Sequence, residues 1–116
     1  MNKIYYIASC DTCRKIIKSL PRENNLVYRD IKQDPLTAEE LAEMRDLAGS
    51  YSALFSRKAQ LYKSRGLKDQ VLGEDDYQRL ILEHYTFLSR PVFIINGKIF
   101  IGNSQKAVSE ALAELR

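Results

Sequence analysis

Glycine and proline are scarce in this chain, at five and three of 116 residues, and there is a single histidine. With 45% hydrophobic and 28% charged residues and no low-complexity tract, the composition is that of an ordinary globular protein. No apolar run approaches the roughly 20 residues needed to cross a bilayer, which argues against a membrane span. Only Cys10, Cys13 and His84 are evident metal ligands, short of the four that a structural zinc requires, so no metal site is expected. A formal net charge of +3 is too small to indicate direct nucleic-acid binding. Met1-Asn2-Lys3 runs into a strand-like segment without a cleavage signal, and two close cysteines fit a reducing compartment. A cytoplasmic protein of one domain, long enough to build a core without disulfides, is the expectation.

What is present has a clear order. Lys3 to Ala8, "KIYYIA", is short, aromatic and β-branched, and reads as a buried strand. Ile16, Ile17 and Leu20 recur at helical spacing, and Pro21 ends that helix. Leu26 to Ile31 reads as a second strand, so the opening is β-α-β, which favours a parallel pair. Thr37 and Glu40 form a capping box for a helix that should stop near Gly49. Ser50 to Gly66 also looks helical, as does Asp75 to His84, where His84 falls in the last turn. "PVFIINGKIFIG" predicts two strands around Asn96-Gly97, a strong hairpin signal. A final helix, capped by Asn103 or Ser104, aligns Ala107, Val108, Ala111, Leu112 and Leu115 on one face. The fold class is therefore α/β: a thioredoxin-like β-α-β…β-β-α core with a mixed four-stranded sheet, interrupted by a helical block over about 37–86.

The chemistry concentrates in "SCDTCRK", residues 9–15. Cys10 falls where the first strand turns into a helix, and Cys13 in that helix's first turn. Free amides and the helix dipole there favour a thiolate, the reactive form of cysteine. Arg14 and Lys15 add positive charge and Asp11 opposes it. A CxxC in a β-α-β setting points to redox chemistry over a pair of inert thiols.

Together, "SCDTCRK", "GSYSALFSR" and "HYTFLSRPVFIINGK" resemble the arsenate reductase / Spx (ArsC/Spx) family of thioredoxin-fold proteins. Gly49 followed eight residues later by Arg57, and Arg90-Pro91 at the entrance to the third strand, anchor the resemblance along nearly the whole chain. It implies that Cys10 is a catalytic nucleophile, with Cys13 as a second catalytic thiol, attacking an oxyanion or thiol substrate. Arg57, Arg90 and Arg14 would bind the anion, since guanidinium forks match tetrahedral oxyanions. Pro91 would be the site's structural proline, in the cis form. By charge pattern alone Arg57 is one more cation in the run Arg57, Lys58, Lys63, Arg65, Lys68. Pro91 alone would also be allowed as a strand-opening proline.

The same resemblance implies no bound cofactor, a monomer, and glutathione with glutaredoxin (or thioredoxin) as reductant. Two departures stand out: Gly102 replaces a third anion-binding arginine, and Cys13 replaces a serine common in glutaredoxin-linked reductases. With Cys13 present, Cys10 can close an intramolecular disulfide. The alternative implied is an Spx-like redox-sensing regulator that binds RNA polymerase, with Gly49 on the contact surface and a Cys10–Cys13 switch. The absence of a basic tail after "EALAELR" favours the enzyme.

Overall fold

The computed structural model describes residues 2–115. Its elements run β1 (Asn2–Tyr6), α1 (Asp11–Ser19), β2 (Leu26–Asp30), α2 (Ala38–Ala48), α3 (Gln60–Ser64), α4 (Glu74–Glu83), β3 (Val92–Ile95), β4 (Lys98–Ile101) and α5 (Gln105–Leu115). Short 3-10 turns occupy Ser52–Leu54, Leu67–Asp69 and Tyr85–Phe87. Backbone proximity divides the chain into two units, Met1–Asp34 with Arg90–Arg116, and Pro35–Ser89. The second unit spans nearly the same residues as the helical block read from the sequence.

The first unit holds a four-stranded sheet in the order β2-β1-β3-β4. β1 pairs parallel with β2 and antiparallel with β3, and β3 pairs antiparallel with β4, giving the mixed sheet expected. Strand position explains burial. Central β3 is buried at every residue, Val92–Ile95, whereas on edge strand β2 Val27 and Tyr28 are exposed. Period-two alternation places Ile4, Phe93 and Ile95 on one face, where Ile16 and Leu20 of α1 and Ala111 of α5 complete the core. Val108, Leu112 and Leu115 pack on that same core, the stripe read from the sequence. Ser104 rather than Asn103 caps α5, its Oγ accepting from the Ala107 amide at 3.1 Å. The hairpin turn is built by Asn96 (φ 53°) and Gly97 (φ 76°), both left-handed, the signature of the tightest two-residue connection.

In the second unit the capping box forms as read. Thr37 Oγ1 accepts from the Glu40 amide at 3.1 Å, and Glu40 Oε1 accepts from the Thr37 amide at 3.0 Å. Gly49 ends α2 in the left-handed region, φ 96°. The continuous helix expected over 50–66 does not form. Glu74, at the start of α4, instead accepts from the amides of Tyr51 at 2.6 Å and Ser52 at 3.0 Å. After one 3-10 turn the chain extends, and Phe55 makes a β-bridge to Leu88. That bridge brings the Phe55 ring 5.4 Å from Phe87 in a stacked pair and 4.8 Å from Tyr77. Tertiary pairing and aromatic burial thus override the local helical pattern, and only the five residues of α3 remain helical. His84 follows the last residue of α4, and its Nδ1 accepts from the Thr86 amide at 3.1 Å, capping the start of the 3-10 turn Tyr85–Phe87, so its ring serves the backbone.

Candidate active site

After β1 the chain turns sharply, and the Cys10 amide donates to the Ile7 carbonyl at 3.1 Å. The Cys10 carbonyl then accepts the first helical hydrogen bond, from the Arg14 amide at 3.0 Å, which makes Cys10 the N-cap of α1. Its extended backbone (φ −84°, ψ 119°) sets the side chain at the mouth of the helix. Cys10 is partly exposed and Cys13 fully buried, and both are free thiols.

The two sulfurs differ in acidity. Burial pushes the Cys10 thiol up, but the Cys13 amide and thiol, the Thr12 amide and the Arg90 charge outweigh it, so its pKa lies below the ordinary value. The side chain makes no capping hydrogen bond of normal geometry as a neutral thiol; the amides act on the charge once it forms. For Cys13 burial dominates. Helped by the neighbouring Cys10 charge, it overcomes the Ile7 amide and Arg90 and pushes the thiol up to about 11. Cys10 is therefore the more acidic of the two thiols and the one that ionises first as pH rises. Alkylation rate against pH should therefore show a midpoint below the roughly 8.5 of an ordinary cysteine. A midpoint at or above that value would remove Cys10 as a nucleophile.

Arg90 lies in the same unit, partly buried, and its guanidinium charge reaches both sulfurs. The Arg90-Pro91 peptide is cis. Pro91 is buried, and its carbonyl accepts from the Gly102 amide at 2.9 Å, tying the end of β4 to the start of β3. Gly102 has φ 88°, with open space around a would-be Cβ. A Cβ there would meet no clash, but any side chain would cost roughly 1–2 kcal/mol in backbone strain. Arg14 is exposed and bonds the Asp11 carboxylate three residues back, on the same turn of α1. That pairing was open to sequence reading at its helical spacing, yet only the structure shows Arg14 engaged.

Arg57 belongs to the second unit. Its guanidinium donates to Ser52 Oγ at 3.2 Å and Tyr77 Oη at 3.1 Å, and it lies over the Phe55 and Tyr77 rings at 5.9 and 5.4 Å. Tyr77, twenty residues away in sequence, carried no local signal of this role. Among the described residues no group of three or more His, Cys, Asp or Glu is placed to hold a metal. Among the described residues no helix is long and apolar enough to cross a membrane.

Comparison with known proteins gives a consistent family. The model of the ArsC family matches residues 5–111. The global transcriptional regulator Spx 1 of Bacillus cereus is 27% identical over 97% of this chain and 87% of its own length. The arsenate reductase of Neisseria meningitidis serogroup B is 28% identical over 95% of this chain and 97% of its own. Among solved structures, an arsenate reductase from Vibrio cholerae superimposes with a TM-score of 0.74 at 24% identity, over 98% of this chain and 97% of that one. The last likeness shows the thioredoxin-like fold.

Proposed function

Since the chain belongs to the ArsC family, we propose that it is a thiol-dependent oxidoreductase of the arsenate reductase type, with Cys10 attacking an oxyanion or a disulfide. The observation that carries this reading is positional: Cys10 caps α1 within reach of solvent, while Cys13 is fully buried one turn on. With arsenate, the Cys10 thiolate would bond arsenic and displace hydroxide, which leaves as water. A second thiol then attacks the Cys10 sulfur; the sulfur–arsenic electron pair stays on arsenic, releasing arsenite and forming a disulfide. Glutathione or Cys13 can supply that second thiol, and glutaredoxin or thioredoxin would reduce the product.

Bringing an anion to a thiolate requires compensating cations, and Arg90 supplies one to both sulfurs. The anion-binding parts given to Arg57 and Arg14, and the positioning part given to Pro91, rest on the family resemblance. The similarity to Spx 1 supports a second reading, in which the Cys10–Cys13 pair toggles a regulator that contacts RNA polymerase. Gly49 does not separate the two, because its left-handed φ serves the end of α2 in either case.

Turnover with arsenate, glutathione and glutaredoxin, run beside a pull-down against RNA polymerase, tests the choice. The enzyme reading expects glutaredoxin-dependent arsenite and no retained polymerase. Polymerase retained in one redox state only, with no turnover, would establish the regulator instead.

A further inference from the structure

Three features of the first unit bear on which substrate the Cys10–Cys13 pair takes, and they point the same way. Asp11 is the first residue of α1, adjacent to Cys10, and its carboxylate bonds Arg14. Both side chains are exposed, at 79% and 56%, so the pair sits at the solvent face of the helix start. A carboxylate there opposes an approaching anion and occupies the guanidinium that would otherwise meet it. Gly102, held at φ 88° with its amide on Pro91, offers no side chain to replace that cation. The fully buried Cys13 supplies a second sulfur for resolving a mixed disulfide without an outside thiol.

Resting on the oxidoreductase reading above, we propose that Asp11 is a specificity-determining residue. By holding Arg14 it turns the Cys10–Cys13 site away from tetrahedral oxyanions and toward organic disulfides that carry little charge beside the sulfurs. Sulfur substrates need no cationic clamp. The Cys10 thiolate attacks one sulfur of R–S–S–R, forming a Cys10–S–S–R bond and expelling RS⁻. Cys13 then gives up its proton to solvent or to the departing thiolate and attacks Cys10 Sγ. This closes the Cys10–Cys13 disulfide and expels the second RS⁻. The substrate gains two electrons and the protein loses two. A dithiol of the glutaredoxin or thioredoxin class restores the protein by the reverse exchange.

Single turnover of the fully reduced protein, without external reductant, tests this independently of which reductant recycles it. One arm uses 2-hydroxyethyl disulfide, which is uncharged, and reads released thiol and the mass loss on disulfide formation. The other uses arsenate and reads arsenite. Wild type should reduce the disulfide much faster than arsenate at equal concentration. Asp11→Asn, which frees Arg14, should raise the arsenate-to-disulfide rate ratio about two- to fivefold, the scale of one exposed ionic contact. The double variant D11N/R14A should lose that gain.

Arsenate reduced by wild type as fast as the disulfide would overturn the inference and leave the oxidoreductase reading standing. Reaction with neither would overturn both. An unchanged ratio in Asp11→Asn, with the melting transition intact, or a gain that survives in D11N/R14A, would remove the specificity role of the Asp11–Arg14 pair. Should Asp11→Asn not fold, Asp11→Ser takes its place: the same rise in the ratio is expected, and an unchanged ratio in a folded Asp11→Ser would overturn the proposal.

Discussion

Cys10→Ser should abolish turnover of every substrate, by on the order of 10⁴-fold or more, while the protein stays folded. Everything that stabilises charge at position 10 remains in the variant: the amides of Thr12 and Cys13 and the Arg90 guanidinium. What is lost is the atom able to use them, since a hydroxyl stays protonated where a thiol ionises. Cys10 is partly exposed and makes no capping hydrogen bond as a neutral side chain, so the stability cost should be slight. Cys13→Ser should behave differently. Attack by Cys10 on a disulfide would still occur but stop at the first exchange, leaving half of the substrate covalently attached to Cys10. Intact-mass spectrometry after mixing with excess disulfide separates the two variants. Residual activity in Cys10→Ser above a tenth of wild type would place the chemistry elsewhere.

The second large effect is on stability. Phe93 is 1% exposed and sits in central strand β3, with Ile4 of β1 and Phe100 of β4 opposite it in register. Phe93→Ala would open a void at the centre of the first unit's core, beside Ile16, Leu20 and Ala111. Removing an aromatic ring from such a site costs about 3–5 kcal/mol. Against a total stability on the order of 5–15 kcal/mol, that lowers the melting temperature by roughly 10–25 °C. Phe100→Ala, on edge strand β4 where the ring is only partly buried, should cost distinctly less. Equal losses from the two variants, measured by denaturant unfolding, would contradict the central placement of Phe93.

The elements that define the first unit were legible because their signals are local. Asn-Gly between two β-branched runs dictates a hairpin, and short aromatic, β-branched runs mark buried strands; in the second unit the Thr37–Glu40 capping box marks the start of α2 in the same local way. The middle of the second unit was not legible. The fates of Tyr51, Ser52 and Phe55 are decided by Glu74 and Leu88, more than twenty residues away. The candidate site divides the same way. The N-cap position of Cys10 and the first-turn position of Cys13 follow from the strand-to-helix junction. The burial that holds Cys13 as a thiol depends on the assembled core. Likewise, the sequence shows a glycine at position 102 but not the φ of 88° that makes an arginine there costly.

The placement of β1 between β2 and β3 also orders events as the chain leaves the ribosome. Asn2–Tyr6 finds its parallel neighbour Leu26–Asp30 soon after both emerge, but its antiparallel neighbour, Val92–Ile95, is made only after the whole of the second unit. Pairings so far apart in sequence form late, because a long loop must close before any contact rewards it. Until then one edge of β1 stays open, and the cysteine-bearing turn lacks both the cis Arg90-Pro91 segment and the charge of Arg90. The second unit, contiguous from Pro35 to Ser89, is synthesised whole during that interval. The helix-start groups of Cys13 and Thr12 that lower the Cys10 pKa are therefore made early, whereas the further contribution of Arg90 arrives only when the sheet is complete.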